Sequence, residues 1–379
     1  LKNLFNSSTM NLKNLIKKTS IFFLLLLSLY MLFWPVPIDP VPWQAPYDKG
    51  LTGKFKANDS LSNLEIIMVP DLTGPEDLAL SNNEIFASTR EGWIIKYNQQ
   101  TGAVTKWVNT QGSPLGITFD KKNNLIVADA YLGLLKISPN GQISVLTRMV
   151  NGDEIRYADD VDVTKSGKII FSDASTKFSA KFGGTYKASL LDIAEHGGHG
   201  RILVYDPSDN TTKVLMDNLN FANGVALDKE SNFFLTTETG SYQIHKYWLK
   251  GDKAGSSEII INNLPGFPDN IVRGQNGRFW VGLVSPRSKI IDALSNFPKL
   301  RKVVQRLPEF LRPSATYYSH VFALDEDGNV LTTLQDPIGK YHTNTGALET
   351  DQWLYISSLQ SKNLARLSKK YLNFEGKDD

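Results

Sequence analysis

The stretch YADDVDVTKSGKIIFSD, residues 157–173, reads as strand, turn, strand. Residues 157–163 end at Thr164-Lys165-Ser166-Gly167, a polar turn. Ile169-Ile170-Phe171-Ser172 then supplies the β-branched and aromatic residues of a second strand. The unit recurs. Equivalent second strands are Ile85-Phe86-Ala87-Ser88, Leu125-Ile126-Val127-Ala128, Phe233-Phe234-Leu235-Thr236, Phe279-Trp280-Val281-Gly282 and Leu354-Tyr355-Ile356-Ser357. A third strand follows each, as in Arg201-Ile202-Leu203-Val204-Tyr205. Six copies of several short strands, almost without helix between them, predict an all-β six-bladed β-propeller over residues 64–370. The last copy stops after its third strand, while residues 64–69 form a strand with no partner. Pairing the two closes the ring and removes two exposed edges.

The first strand of each blade lines the central channel, so equivalent positions on these strands converge. Counting back twelve residues from Val127, Phe171, Leu235, Val281 and Ile356 gives Leu115, Asp159, Asn223, Asp269 and Asn344. The first copy, about a residue shorter, gives Glu76, and Asn270 stands beside Asp269. Three carboxylates and several amides turned toward one axis repel and lack hydration without a cation. Calcium takes roughly six to eight oxygen ligands of this kind. The positions hold no His or Cys, which argues against zinc and copper. One residue further on, Asp77 and Asp160 form a second set. With a backbone carbonyl such as that of Ile117, they leave room for a second, deeper ion.

The chain has 379 residues, 41% of them hydrophobic, with 41 basic and 39 acidic side chains. So even a balance gives no electrostatic basis for nucleic-acid binding. The absence of cysteine removes disulfides, thiolate metal sites and cysteine nucleophiles. Residues 19–36 carry no charge, and residues 21–34 read IFFLLLLSLYMLFW. These 18 residues are the lower end of what crosses a bilayer. Lys13, Lys17 and Lys18 precede the run, and the first acidic residue, Asp39, follows it. The positive-inside rule then places residues 1–18 in the cytoplasm and the propeller on the periplasmic or extracellular side. No small-x-small pattern follows Leu32-Phe33-Trp34-Pro35, so residues 19–36 read as an uncleaved transmembrane signal anchor. Pro35, Pro37, Pro40, Pro42 and Pro46 make residues 37–63 a Pro-rich linker, a stiff extended spacer expected to lift the domain off the bilayer. Residues 371–379 form a C-terminal tail.

Two long insertions separate second from third strands, on the face that carries the axial residues. Residues 178–199, with Gly183-Gly184 and His196-Gly197-Gly198-His199, are expected to form a glycine-rich mobile loop, a histidine metal pair being the alternative. Residues 286–313 place Ile291, Leu294, Phe297, Leu300, Val304, Leu307 and Leu311 at helical spacing. Pro298 and Pro308 divide this lid into short helices. With seven basic and two acidic residues, it either packs on the propeller, rests on anionic headgroups, or both. His342, two residues before Asn344, is the histidine nearest the axis and the candidate general base. His245, among apolar neighbours in a third strand, reads as structural.

The segments at 157–163, Phe171-Ser172-Asp173-Ala174-Ser175-Thr176-Lys177, Phe221-Ala222-Asn223-Gly224-Val225-Ala226-Leu227 and Leu264-Pro265-Gly266-Phe267-Pro268-Asp269-Asn270 resemble the strictosidine-synthase-like family. The likeness covers residues 36–370 and is nearest the branch of the adipocyte plasma-membrane-associated proteins, which also carry an N-terminal anchor. More distantly the chain is similar to gluconolactonases and paraoxonases, calcium-dependent propeller hydrolases. Their metal ligands map onto Glu76, Asn223, Asp269 and Asn270, and in paraoxonases also onto Asp159. The structural calcium of paraoxonases maps onto Asp77, Asp160 and the Ile117 carbonyl. Two departures stand out: the family usually has Asn where this chain has Asp159, and Leu115 occupies the place of the paraoxonase histidine base. The resemblance implies a small-molecule substrate and a calcium-dependent hydrolase of esters or lactones, with Asp269 activating water. The alternatives are a strictosidine-synthase-type amine–aldehyde condensation, for which the glutamate is not located, and a non-catalytic, calcium-stabilised binding propeller.

Overall fold

The computed structural model describes residues 2–372, with side chains from residue 12 onward. Residues 373–379 of the expected tail lie outside them. Six four-stranded antiparallel sheets follow one another along the chain, at 78–109, 114–147, 158–219, 222–261 and 266–336, with the sixth at 344–368. That last sheet takes its outer strand from Glu65–Met68, with Glu65 opposite Arg366 and Ile67 opposite Leu364. The ring is closed as the unpartnered strand predicts. Apolar wedges between neighbouring blades hold it: Phe86 and Ile94 of blade 1 pack with Ile117, Val127 and Leu135 of blade 2. At such a fully buried position, Phe171→Ala is worth about 3–5 kcal/mol.

The inner strands depart from regular pairing where the axial residues sit. The register shifts between Pro114 and Ile117, Ala158 and Val161, Ala222 and Val225, Pro268 and Ile271, and Asn344 and Ala347. A bulge breaks the alternation of faces and re-aims the extra residue. Two consecutive side chains, such as Asp159 and Asp160, are thereby used separately. Close approach of the strands also requires glycine here. A Cβ on Gly224 would lie 2.7 Å from the Asp269 carbonyl oxygen and 2.8 Å from the Asn270 carbonyl carbon.

Helix α1 runs Lys2–Phe33 and contains a 22-residue span, Leu12–Phe33, long and apolar enough to cross a membrane. It starts well before the uncharged segment because nothing in residues 2–18 breaks a helix, and it stops ahead of Pro35. The proline-rich segment is extended but is not a free spacer. Val41 N–H donates to the Glu195 carbonyl, Trp43 N–H to the Ser295 carbonyl, and Ile38 is fully buried. Its backbone groups are satisfied by the two insertions, so it straps the domain instead of lifting it away. Residues 178–199 are likewise not a loose loop. They hold helix α2, Thr185–Glu195, which buries Ala188, Leu191, Asp192 and Glu195 on one face. The lid carries α3, Lys289–Ala293, and α4, Pro298–Arg306, with proline at the start of α4.

Candidate metal and active site

Glu76, Asp159, Asn223 and Asp269 line one pocket on the insertion face, with Leu115 and Phe221 as apolar wall. All four polar residues are buried. Asn270 stands behind them and donates through Nδ2 to Glu76 Oε1 at 3.0 Å. Asp269 Oδ1 accepts from the Asn270 N–H at 3.2 Å, and its carboxylate also accepts from the Asn223 amide. Four oxygens are left over. Glu76 Oε2, Asp159 Oδ2, Asn223 Oδ1 and Asn270 Oδ1 are buried acceptors without a hydrogen-bond partner.

Buried acceptors are normally paired, and each orphan costs about 1–3 kcal/mol. Burial, then Asp269, Asp159, Asp77 and Asp160, push the Glu76 carboxyl well above its ordinary range. Asp159 is raised by burial and by Asp269. Burial lifts Asp269 to about 7 against the pull of the Asn270 N–H and the Asn223 amide. Such a centre takes up either protons or a positive charge. Among the described residues, no three His, Cys, Asp or Glu side chains are placed to hold an ion by themselves. The orphaned set is half amide, so carboxylates alone do not make the centre.

Asn344 and the second acidic set are used differently from the sequence expectation. Asn344 Oδ1 accepts from the His320 N–H at 2.8 Å, and Nδ2 donates to the Tyr341 carbonyl at 2.9 Å. The turn at Thr343, with φ 52°, sets the amide between two strands, so its oxygen is already engaged. Asp77 Oδ2 accepts from the N–H of Ile117 at 2.8 Å, so that residue presents its N–H rather than its carbonyl. Asp160 accepts from the N–H groups of Val161 and Val225, both at 2.7 Å. Asp77 and Asp160 therefore clasp neighbouring blades through the backbone. Both also line a separate cavity, together with Ile117 and Asp162.

His342 is also displaced from its expected role. It stacks on Tyr317, with ring centroids 3.8 Å apart, and its Nδ1 faces Thr343 Oγ1 at 3.2 Å. Among the described residues lining the pocket there is no histidine. His196 stacks on Trp43 at 3.9 Å, while His199 Nε2 meets Glu195 Oε1 at 2.7 Å, so the histidine pair is split. His245 bonds Glu238 at 2.7 Å in a structural pair. The residues missed from sequence are Arg90, Tyr157, Thr185, Tyr186 and Gln360. Tyr157 could have been found as the residue that opens the 157–163 segment. Burial and the three carboxylates raise its phenol, which stays a donor. Arg90 follows an ordinary strand end and gives no sequence signal.

Fold and centre together define a six-bladed propeller with an oxygen-rich axial site opening beside the α2 insertion. The family model described as strictosidine synthase matches residues 159–252, and that of the strictosidine synthase-like N-terminal region matches residues 53–97. The adipocyte plasma membrane-associated protein of Bos taurus is 31% identical over 354 residues, 87% of this chain and 84% of that protein. Strictosidine synthase-like protein 3 of Arabidopsis thaliana is 36% identical over 316 residues, 74% of this chain and 78% of that protein. The chain belongs to the strictosidine synthase-like family, in the branch of the adipocyte plasma membrane-associated proteins. Among solved structures, a gluconolactonase from Xanthomonas campestris superimposes with TM-score 0.58 at 15% identity, covering 88% of this chain and 96% of that one. The calcium-binding protein regucalcin from Agrobacterium tumefaciens gives 0.55 at 13% identity, covering 82% and 93%. These two likenesses concern the propeller fold.

Proposed function

We propose that this protein is a membrane-tethered, calcium-dependent hydrolase of carboxylic esters or lactones. The observation that carries the proposal is the set of four orphaned acceptor oxygens, three on residues lining one open pocket and the fourth on Asn270 behind Glu76. Carboxylate and amide oxygens, with no nitrogen or sulfur among them, fit calcium. Glu76, Asp159, Asn223 and Asn270 would hold it, with Asp269 beside them. Bound there, the ion would polarise the substrate carbonyl and stabilise the negative charge that develops on its oxygen.

The chain's own residues supply the rest. Asp269 is oriented by the Asn270 N–H and the Asn223 amide, and it is the group placed to take a proton from water. Tyr157 offers a protonated hydroxyl from the pocket wall, and Arg90 brings a positive charge to the mouth. Leu115 and Phe221 exclude water from one side. Helix α1 tethers the domain, and Lys13, Lys17 and Lys18 before its apolar run put the propeller on the non-cytoplasmic side. Phenyl acetate and γ-lactone turnover, measured with calcium and with chelator, tests the reading. Turnover that survives both chelation and Asp269→Ala sinks it. Family membership favours one further reading, condensation of an amine with an aldehyde. Product formation from tryptamine and an aldehyde, without ester turnover, would favour that reading instead.

A further inference from the structure

A second cavity lies beside the axial pocket, between α2 and the lid. Leu190, Leu191, Ile193, Ile291, Leu294 and Val304 give it an apolar wall. Tyr186 lines both cavities, and its hydroxyl accepts from the Ala315 N–H at 3.1 Å, which fixes the ring as a partition. Arg301 lines the second cavity too. It is 5% exposed, yet its Nε–H has no acceptor. The wall is mainly hydrocarbon, with Lys187, Gln305, Glu309 and Arg312 also on the lining, and it suits a long aliphatic group joined to a polar one.

The outer side of the same lid is unpartnered. Phe297, Leu300, Phe310 and Leu311 are exposed, Phe310 to 84%, and Lys299 is exposed among them. Helix α1 sets where this face stands. Arg306, at the end of α4, donates through Nε to the Trp34 carbonyl at 2.6 Å and through Nη1 to the Met31 carbonyl at 3.1 Å. Tyr30 Oη returns a bond to the Arg306 carbonyl at 3.0 Å. The guanidinium thus caps the open carbonyl end of α1. The 22 residues of Leu12–Phe33 span about 33 Å, against a hydrocarbon core of about 30 Å. The bilayer boundary therefore falls at Phe33 and Trp34, and α4 is bonded to that boundary.

We propose that the lid face lies in the bilayer surface and that the cavity beneath it takes the aliphatic chain of a membrane-partitioned ester or lactone. The inference deepens the hydrolase reading by naming its substrate class, and rests on that reading for the chemistry alone. The apolar face supplies contact with lipid, the lysine contact with headgroups, and α1 fixes the depth.

The test uses the full chain in phosphatidylcholine vesicles doped with an octadecanoyl ester that bears a diazirine on its chain. Irradiation is expected to leave adducts on residues 185–195 and 298–306, lost in Val304→Trp and in Leu190→Trp at unchanged melting temperature. The pair guards against one variant failing to fold. Adducts confined to α1, or unaffected by cavity filling in a folded variant, overturn the proposal. The cysteine-free chain also permits single labels at Leu300→Cys, Phe310→Cys and, on the opposite face, Lys122→Cys. Spin-labelled lipid is expected to quench the first two several-fold more than the third; equal quenching overturns the placement. Each methylene is worth about 0.8 kcal/mol, about fourfold, so the cavity fillers should lower kcat/KM for an octanoyl ester at least about tenfold relative to a butanoyl ester. Cavity adducts without turnover of any ester sink the hydrolase reading alone, whereas turnover without adducts sinks the cavity alone.

Discussion

Glu76→Gln separates a metal centre from a merely strained one. Glu76 Oε2 is one of four buried acceptors without a donor, and the carboxyl feels Asp269 and Asp159. Four such atoms together represent on the order of 4–12 kcal/mol of unmet solvation, which a bound cation relieves. Calcium at about a hundredfold excess over its dissociation constant should add about 2.7 kcal/mol to stability. Unfolding a propeller of roughly 300 residues releases roughly 2.1 cal/mol/K per residue, so the melting temperature should rise by about 4 °C. Glu76→Gln removes one acidic group from the cluster and one of the proposed calcium ligands. It should melt higher than wild type in chelator and lose the calcium increment. Asn344→Ala is the control, because its oxygen is engaged by His320 N–H. That variant should melt lower, through about 1–3 kcal/mol of lost hydrogen bonding, and keep the full increment. Differential scanning calorimetry with calcium and with chelator reads all three proteins. A wild type indifferent to calcium, or an increment that disappears with Asn344 and persists without Glu76, refutes the reasoning.

Gly224→Ala should unfold the propeller or cost several kcal/mol, because the new methyl meets Asp269 and Asn270 backbone; urea midpoints would show it. Glu238 has its carboxyl held at about 2: burial raises it, but hydrogen bonds from His245, Asn220 and Gln243 win. A depressed carboxyl stabilises the fold above its unfolded value near 4.5 and loses that contribution as pH falls toward about 2. Wild type should therefore lose more stability than Glu238→Gln between about pH 5 and about pH 3, by urea midpoint. Equal losses would show that this pair does not report acid unfolding. Arg306→Ala should leave the propeller's melting temperature nearly unchanged while loosening α4 from α1, seen as faster hydrogen exchange at residues 298–306.

Much of the fold is legible in the chain because propeller strands obey local rules. The β-branched second strands, the polar turns and the orphan strand at residues 64–69 are each readable without a partner, and ring closure follows from them. The axial positions are readable for the same reason: one offset, a residue shorter in the first blade, finds Glu76, Asp159, Asn223 and Asp269, which line one pocket. The offset fails at Asn344 because it counts residues and not directions. A bulge and the positive φ at Thr343 turn that amide toward His320. The doubled residues Glu76-Asp77, Asp159-Asp160 and Asp269-Asn270 were the available hint that alternation breaks there. His342 misleads similarly, since closeness along the chain says nothing of the Tyr317 ring that covers it.

Sequence by itself determined the six-bladed class, the apolar helix and an axis rich in carboxylate and amide oxygens. Those are consequences of periodicity, composition and symmetry. Only the tertiary structure decided which oxygens are left unpaired, that the proline-rich segment is a strap, and that α4 is bonded to the end of α1. Each depends on groups far apart in the chain meeting with a particular orientation, and hydrogen bonds discriminate by direction in a way that residue spacing does not.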